Sequence, residues 1–201
     1  MTDGGWIMLK KEFFIRDARI VAQELLGKIL VFRNHGEIMK AYITETEAYL
    51  GVEDKASKAY RGKKTKGNAP MFLEGGHAYV YMTYGMHFLF NVVTGEKDDP
   101  QAVLIRGVEM IQGIKIASQN RFGLNDDRLT EKQRRRISDG PGKFTKAYGL
   151  NKEQNGCMLI EGNLYFEEGR PIKKIYASKR IGIDYAEEAK EFLWRYTSFP
   201  V

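Results

Sequence analysis

The sequence predicts one compact domain of the mixed α/β (α+β) class. Three observations predict it. A chain of 201 residues, 43% of them hydrophobic, can bury one good core and is too short for two independent ones. Two pairs of apolar-rich segments flank short Gly-containing turns, the signal of antiparallel hairpins. A short amphipathic stretch, and a charged run and Gly/Pro turn further on, mark helical segments among those strands.

Asp17 to Leu26 reads as a helix, with Ala18, Val21, Ala22 and Leu25 on one stripe and Gly27 as its stop. Lys28 to Arg33 and Glu37 to Tyr42 form the first hairpin around Asn34, His35 and Gly36, and the second strand runs on through Ile43 to Tyr49. Val52 to Pro70 is a long basic loop, of a length that in a compact domain is usually functional or disordered. The second hairpin joins Ala78–Thr83 to His87–Val93 across Tyr84, Gly85 and Met86. Ala102 to Val108 is the next strand, and Glu109 to Arg121 reads as a helix. Leu129 to Ile137 carries Arg134, Arg135 and Arg136, the pattern of a solvated helix face or of a phosphate contact. Ser138 to Lys143 is a turn ahead of a helix from Phe144 to Tyr148. Cys157–Phe166 and Ile172–Ile183 alternate as final strands, and Glu187 to Trp194 is a short helix or loop. Residues 1–8 are expected to be disordered.

Composition narrows the function classes. Lys and Arg number 32 against 26 Asp and Glu, a net charge of +6 that suits an anionic partner such as a nucleic acid, although many basic proteins bind none. Cys157 is the only cysteine, so there is no internal disulfide framework and no thiolate zinc site. His35, His77 and His87 have no zinc-binding spacing, and a metal enzyme using clustered carboxylates is left open but unsupported. The first residues do not form a signal peptide, and no apolar run approaches the ~20 residues needed to cross a bilayer. A soluble chain of the cytoplasm, or of the nucleus if the cell has one, is the expectation.

Alternate side chains of a strand share a face, which groups Glu45, Glu47 and Tyr49 apart from Thr44, Thr46 and Ala48. Position alone favours a solvated strand edge with ordinary surface glutamates. In the second hairpin, Tyr84 at the tight turn either projects as a wedge for unstacking a duplex or lies flat on a core of Tyr79, Tyr81, Phe88 and Phe90. Arg106, closing an apolar strand, fits a structural ion pair equally well.

Several strings occur together in order: ETEAYLG (Glu45 to Gly51), Met71 with Phe72, YVYMTYGMHFLFN (Tyr79 to Asn91), VLIR (Val103 to Arg106), GPGK (Gly140 to Lys143) and RIGIDYA (Arg180 to Ala186). Across the chain after its first dozen residues, this pattern resembles the alkyladenine DNA glycosylases, the mammalian-type 3-methyladenine DNA glycosylases. The resemblance implies a curved, mostly antiparallel sheet with the Tyr84 hairpin protruding. It implies a monofunctional enzyme of base-excision repair, using no cofactor or metal, that hydrolyses the N-glycosidic bond of alkylated or deaminated purines flipped from duplex DNA. It matches Glu47 to the general base, Arg106 to an arginine beside it, and Tyr49 and Tyr81 to rings on either side of the flipped base. Tyr84 matches the side chain that fills the gap in the duplex, and Asn91 the asparagine that crowds the amino group of guanine. Lys143 falls in a motif resembling a backbone-contacting turn, and Lys63, Lys64 and Lys66 are expected to meet phosphates.

One residue departs from the family pattern: Lys58 stands nine residues after Tyr49, where many members have a pocket histidine. A ring able to stack on the base is replaced there by a cation, which bears on lesion preference. The expected partner is double-stranded DNA, bound by a monomer with no membrane involved. The alternatives are a non-catalytic nucleic-acid-binding module, like the domain at the end of some transfer-RNA formylating enzymes, and a hydrolase of free nucleosides. The first has no use for Glu47 facing Tyr49 and Tyr81, and the second none for a projecting Tyr84.

Overall fold

The structure, a computed structural model, describes the backbone of residues 7–200 and the side chains of residues 7–198. Residues 1–6 of the segment expected to be disordered lie outside the described residues. Met8 forms a bridge to Glu167, and the Glu168 amide donates to the Ile7 carbonyl at 2.8 Å.

The helices are α1 (Lys11–Phe14), α2 (Ala18–Glu24), α3 (Ile114–Phe122), α4 (Glu131–Arg135) and α5 (Pro141–Tyr148). The strands are β1 (Ile29–Asn34), β2 (Glu37–Tyr49), β3 (Ala78–Thr83), β4 (His87–Thr94), β5 (Gln101–Gln112), β6 (Leu164–Glu167), β7 (Ile172–Ser178) and β8 (Arg195–Pro200). They form one curled antiparallel sheet in the order β3-β4-β5-β2-β1-β6, with β8 pairing to β2 and β7 to β8. Strand β2 organises it. One edge pairs with β5 along its length, and the other pairs first with β1 and then, at Glu45–Glu47, with β8. Register shifts between Ile43 and Thr46 mark bulges, and a bulge bends and twists the strand that carries it.

Three sequence expectations are corrected. Glu109 to Gln112 is strand, because β5 continues in register with the first half of β2, and the pairing outweighs local helical pattern. The helix starts only after Gly113, whose φ of +84° ends the strand. Of Cys157–Phe166, only Leu164 onward is strand; Gly162, with φ +82°, interrupts the run. Of Ile172–Ile183 only the part to Ser178 is strand, while β8 carries no signal in the expectations above. The basic loop is ordered by 3₁₀ turns and by Asn68, whose amide nitrogen donates to the carbonyls of Lys58 (2.9 Å) and Lys63 (2.8 Å).

Strand alternation buries both faces of the β2-β5-β4-β3 region. One face carries Thr46, Ala48, Val103, Ile105, Phe90, Val92, Ala78 and Val80. Those apolar side chains join the main core with α2 and α5, where Phe90, Phe144 and Tyr148 meet edge to face with centroids 6.1 and 5.1 Å apart. Thr46 crosses into α2, its hydroxyl donating to the Ala22 carbonyl at 2.8 Å. The other face carries Glu47, Tyr49, Ala102, Asn91, Tyr79 and Tyr81, covered by the basic loop and by residues 179–191. A sheet with two covered faces has room for a site beneath the second cover.

Phe90 is fully buried and its ring is held by Phe144. Phe90→Ala is expected to destabilise the protein by about 3–5 kcal/mol in urea unfolding. Met82→Ala, at an exposed position of the adjacent strand, should change stability by less than about 0.5 kcal/mol.

Candidate active site

The register of the sheet sets Glu47 opposite Leu104, Leu104 opposite Asn91, and Asn91 opposite Tyr79. Alternation along β3 puts Tyr81 on the same face as Tyr79, and alternation at the end of β2 puts Tyr49 on the same face as Glu47. Glu47, Asn91 and the tyrosines therefore come together from distant parts of the chain through pairing alone.

Glu47 is 0% exposed, which rules out the solvated-edge reading. Its Oε1 accepts from the Ile181 backbone amide at 2.8 Å and lies 3.4 Å from Nη1 of Arg106; its Oε2 accepts from the Tyr49 hydroxyl at 2.8 Å. Arg106 also donates from Nε to Glu45 at 2.8 Å, and Arg195 of β8 donates to the same Glu45 oxygen at 2.6 Å. Two carboxylates thus share two guanidinium groups, which offsets most of the charge that is withdrawn from water. The balance is incomplete at Glu47. Burial raises its pKa above the usual glutamate range, against the Arg106 charge, the Ile181 N–H and the Tyr49 hydroxyl, all of which favour the ionised form. Burial likewise pushes the Tyr49 hydroxyl well up, and the neighbouring Glu47 charge adds to it, so Tyr49 stays a donor.

A narrow slot lined by Tyr49, Lys58, Met71, Tyr81 and Asn91 is joined to Glu47 through Tyr49, whose hydroxyl donates to that carboxylate. The space left between these side chains is about 20 Å³, room for a water molecule and far less than a purine needs. The ring of Tyr81 stacks on that of Tyr79 at 5.1 Å, and Nζ of Lys58 stands 5.6 Å from the Tyr81 centroid. Asn91 is buried, with its side-chain amide donating to the Tyr79 carbonyl at 3.0 Å. A larger cleft of about 520 Å³, lined by Ile20, Lys28, Arg170 and Ile175 among others, contains none of these groups.

At the tip of the β3–β4 hairpin, Tyr84 is 86% exposed and adopts φ +52°, so it does not lie on the core. Met82 and Met86 on either side are also exposed. Phe90, by contrast, belongs to the main core. The two readings of the hairpin thus divide its residues between them. The expected backbone-contacting residues lie outside the slot. Lys63 and Lys64 are exposed on the loop, where Nζ of Lys64 is 3.5 Å from Asp98 and 4.7 Å from the Phe72 ring centroid. Lys143, in the first turn of α5, donates to Asp139 at 2.8 Å.

Several groups at the site carry no role in the sequence reading. These are the Ile181 amide on Glu47, Arg180, Asp54, Arg195, and Tyr185, whose hydroxyl is 3.4 Å from the Ala56 carbonyl. The RIGIDYA string contains three of them, and its recurrence in the resembling family was the available signal. Among the described residues, no group of three or more His, Cys, Asp or Glu is placed to hold a metal ion, and no helix is long and apolar enough to cross a membrane.

Residues 12–199 match the family described as methylpurine-DNA glycosylase. A Clostridium novyi (strain NT) protein is 46% identical over 188 residues, covering 94% of this chain and 93% of its own length. One from Desulfitobacterium hafniense (strain Y51) is 47% identical over 189 residues, with coverage of 94% and 93%. Both carry names as 3-methyladenine DNA glycosylases. The chain belongs to the methylpurine-DNA glycosylase family and is a DNA glycosylase, a hydrolase of N-glycosyl bonds that acts in DNA repair.

The geometry around Glu47 has a measurable consequence. In a carbon-detected NMR titration of labelled glutamates, Glu47 is expected to titrate above the ordinary glutamate value. Arg106→Gln should move it further up, because it removes the largest influence that favours the charged form.

Proposed function

We propose that the protein is a monofunctional glycosylase that flips alkylated or deaminated purines out of duplex DNA and releases them by direct attack of water, with Glu47 as general base. The observation that carries this reading is a fully buried carboxylate, paired with Arg106 and hydrogen-bonded by Tyr49, a residue that walls a slot together with Tyr81. Water adds to C1′ of the flipped nucleotide as the glycosidic bond breaks. Its proton passes to Glu47, and the bonding electron pair leaves with the base. A purine alkylated at N3 or N7 is cationic and departs as a neutral molecule, so it needs little acid catalysis. The carboxylate also stabilises the positive charge that develops on the sugar. The groups contacting Glu47 are a guanidinium, a phenol and a backbone amide. None is an amine, which supports water rather than a Schiff base as the nucleophile and an uncut abasic strand as the product.

The substrates in this reading are 3-methyladenine, 7-methylguanine, hypoxanthine and ethenoadenine. Two tyrosine faces favour a cationic base by an energy on the order of 1 kcal/mol per contact. Asn91, its amide fixed by the Tyr79 carbonyl, crowds the exocyclic amino group of guanine. Tyr84 fills the space that the flipped nucleotide vacates, a role supported by its exposure. Lys63, Lys64 and Lys143 meet backbone phosphates, exchanging their present carboxylate partners where they have them, which makes binding salt-sensitive. The slot is too small for a purine until Lys58 swings away from Tyr81, so this lysine is both gate and filter. The protein acts as a monomer in the cytoplasm.

Duplex oligonucleotides carrying each lesion, treated with alkali after incubation, reveal abasic sites. Release of at least one lesion is expected, and Glu47→Gln should lower it at least a thousandfold with duplex binding retained; release by Glu47→Gln at the original rate would place the base elsewhere. For Lys58, the repulsion between an ammonium and a cationic base predicts that Lys58→His raises the rate for 7-methylguanine relative to hypoxanthine. An unchanged ratio would remove Lys58 from lesion selection.

A further inference from the structure

The amide that holds Glu47 belongs to a segment with an unusual anchor. Residues 179–189 run between β7 and β8, and Arg180 reaches from them into the protein interior. Its side chain and that of Asp54 are both fully buried. Nη1 donates to Asp54 Oδ2 at 2.5 Å and to the Ala48 carbonyl at 2.9 Å; Nη2 donates to Asp54 Oδ1 at 2.8 Å and to the Ala189 carbonyl at 3.2 Å. The guanidinium carbon lies 4.7 Å from the Tyr49 ring centroid and 4.9 Å from that of Trp194. Asp54 in turn accepts from the amides of Leu50 (3.2 Å) and Ala56 (3.0 Å). One guanidinium therefore ties together the end of β2, the loop that begins the slot and the segment that covers it.

Stability alone does not account for such a pair. Desolvating two charges costs several kcal/mol each, and well-packed apolar side chains of similar volume often do as well or better. What apolar side chains lack is direction. A planar fork bound at both tines, with carbonyls at its flanks and a ring against it, fixes the position of its own backbone closely. The next residue is Ile181, whose N–H donates to Glu47.

We propose that Arg180, locked to Asp54, is a positioning residue for base release: it fixes the Ile181 amide against Oε1 of Glu47 and so sets the orientation of that carboxylate. This rests on Glu47 being the general base. Arg180 works through the amide and not through its charge. That charge is matched by Asp54, and the groups acting directly on Glu47 are Arg106 of β5, Glu45 and Tyr49 of β2 and the Ile181 N–H, with Arg195 of β8 behind Glu45. The same clamp also braces the ring of Tyr49, whose hydroxyl donates to the other oxygen of Glu47.

Arg180→Lys, Arg180→Met and Asp54→Asn test the proposal with two readouts on the full chain. One is the single-turnover release rate from a 7-methylguanine or hypoxanthine duplex as a function of pH, per folded molecule. The other is the NMR titration of Glu47, which needs no activity. In Arg180→Met, Glu47 should titrate higher than in the native protein, and the acid limb of the rate profile should move to higher pH. The rate at neutral pH should fall about tenfold to a hundredfold with duplex affinity unchanged. Arg180→Lys keeps the charge without the fork and should recover little of the rate. If Arg180→Met and Asp54→Asn leave the Glu47 titration and the rate profile unchanged, the clamp serves folding only and the proposal is wrong. If the native protein releases no lesion while the Glu47 titration still moves in Arg180→Met, the clamp stands and the function proposed for Glu47 falls.

Discussion

A carboxylate sealed from water stands at the centre of this protein, and most of the second face of the sheet is arranged around it. An isolated buried charge would cost many kcal/mol, so Glu47 persists only because a guanidinium, a phenol and a backbone amide surround it. Each partner comes from a different element: Arg106 from β5, Tyr49 from β2 itself, and Ile181 from the segment between β7 and β8. Moving any of these elements exposes or orphans the charge. The site is thereby coupled to the fold as a whole.

The sheet makes this convergence possible through parity and register. Side chains alternate with a period of two, and antiparallel pairing carries that alternation from strand to strand, so one choice of face at β2 dictates the faces of β5, β4 and β3. Apolar side chains take the face packed on α2 and α5. The polar and aromatic set takes the other, and a one-residue slip of β2 would exchange Glu47 with Ala48 or Thr46. Three strand partners for β2 make such a slip costly, since it would break pairing to β1, β5 and β8 together.

On the proposed reading, chemistry and recognition are built from different materials. The rigid strands hold Glu47, Arg106, Asn91 and the tyrosines, whereas the exposed hairpin tip and the basic loop present Tyr84 and the lysines. The slot is nearly closed, with Nζ of Lys58 over the Tyr81 ring. Its walls are fixed by pairing and packing, and its proposed gate is one exposed side chain, Lys58. With Lys58 as the proposed gate, selection would act on charge as well as on shape, because that side chain is itself a cation.

The sequence by itself determined α2, both hairpins, the length of β2 and the shared face of Glu45, Glu47 and Tyr49, because these are written in local periodicity and turn residues. Motifs in register carried the family and the named candidate residues. Only the tertiary structure decided that Glu47 is buried, that β5 extends through Glu109 to Gln112, and that β8 exists at all. Each depends on a partner remote in the chain: Glu109 is strand because Tyr42 lies opposite, and Arg195 because Glu47 does. Arg180 and Asp54 are 126 residues apart, and no spacing rule joins them. Strand alternation left Glu47 looking like a surface acid; desolvation beneath a segment more than a hundred residues away makes it something else.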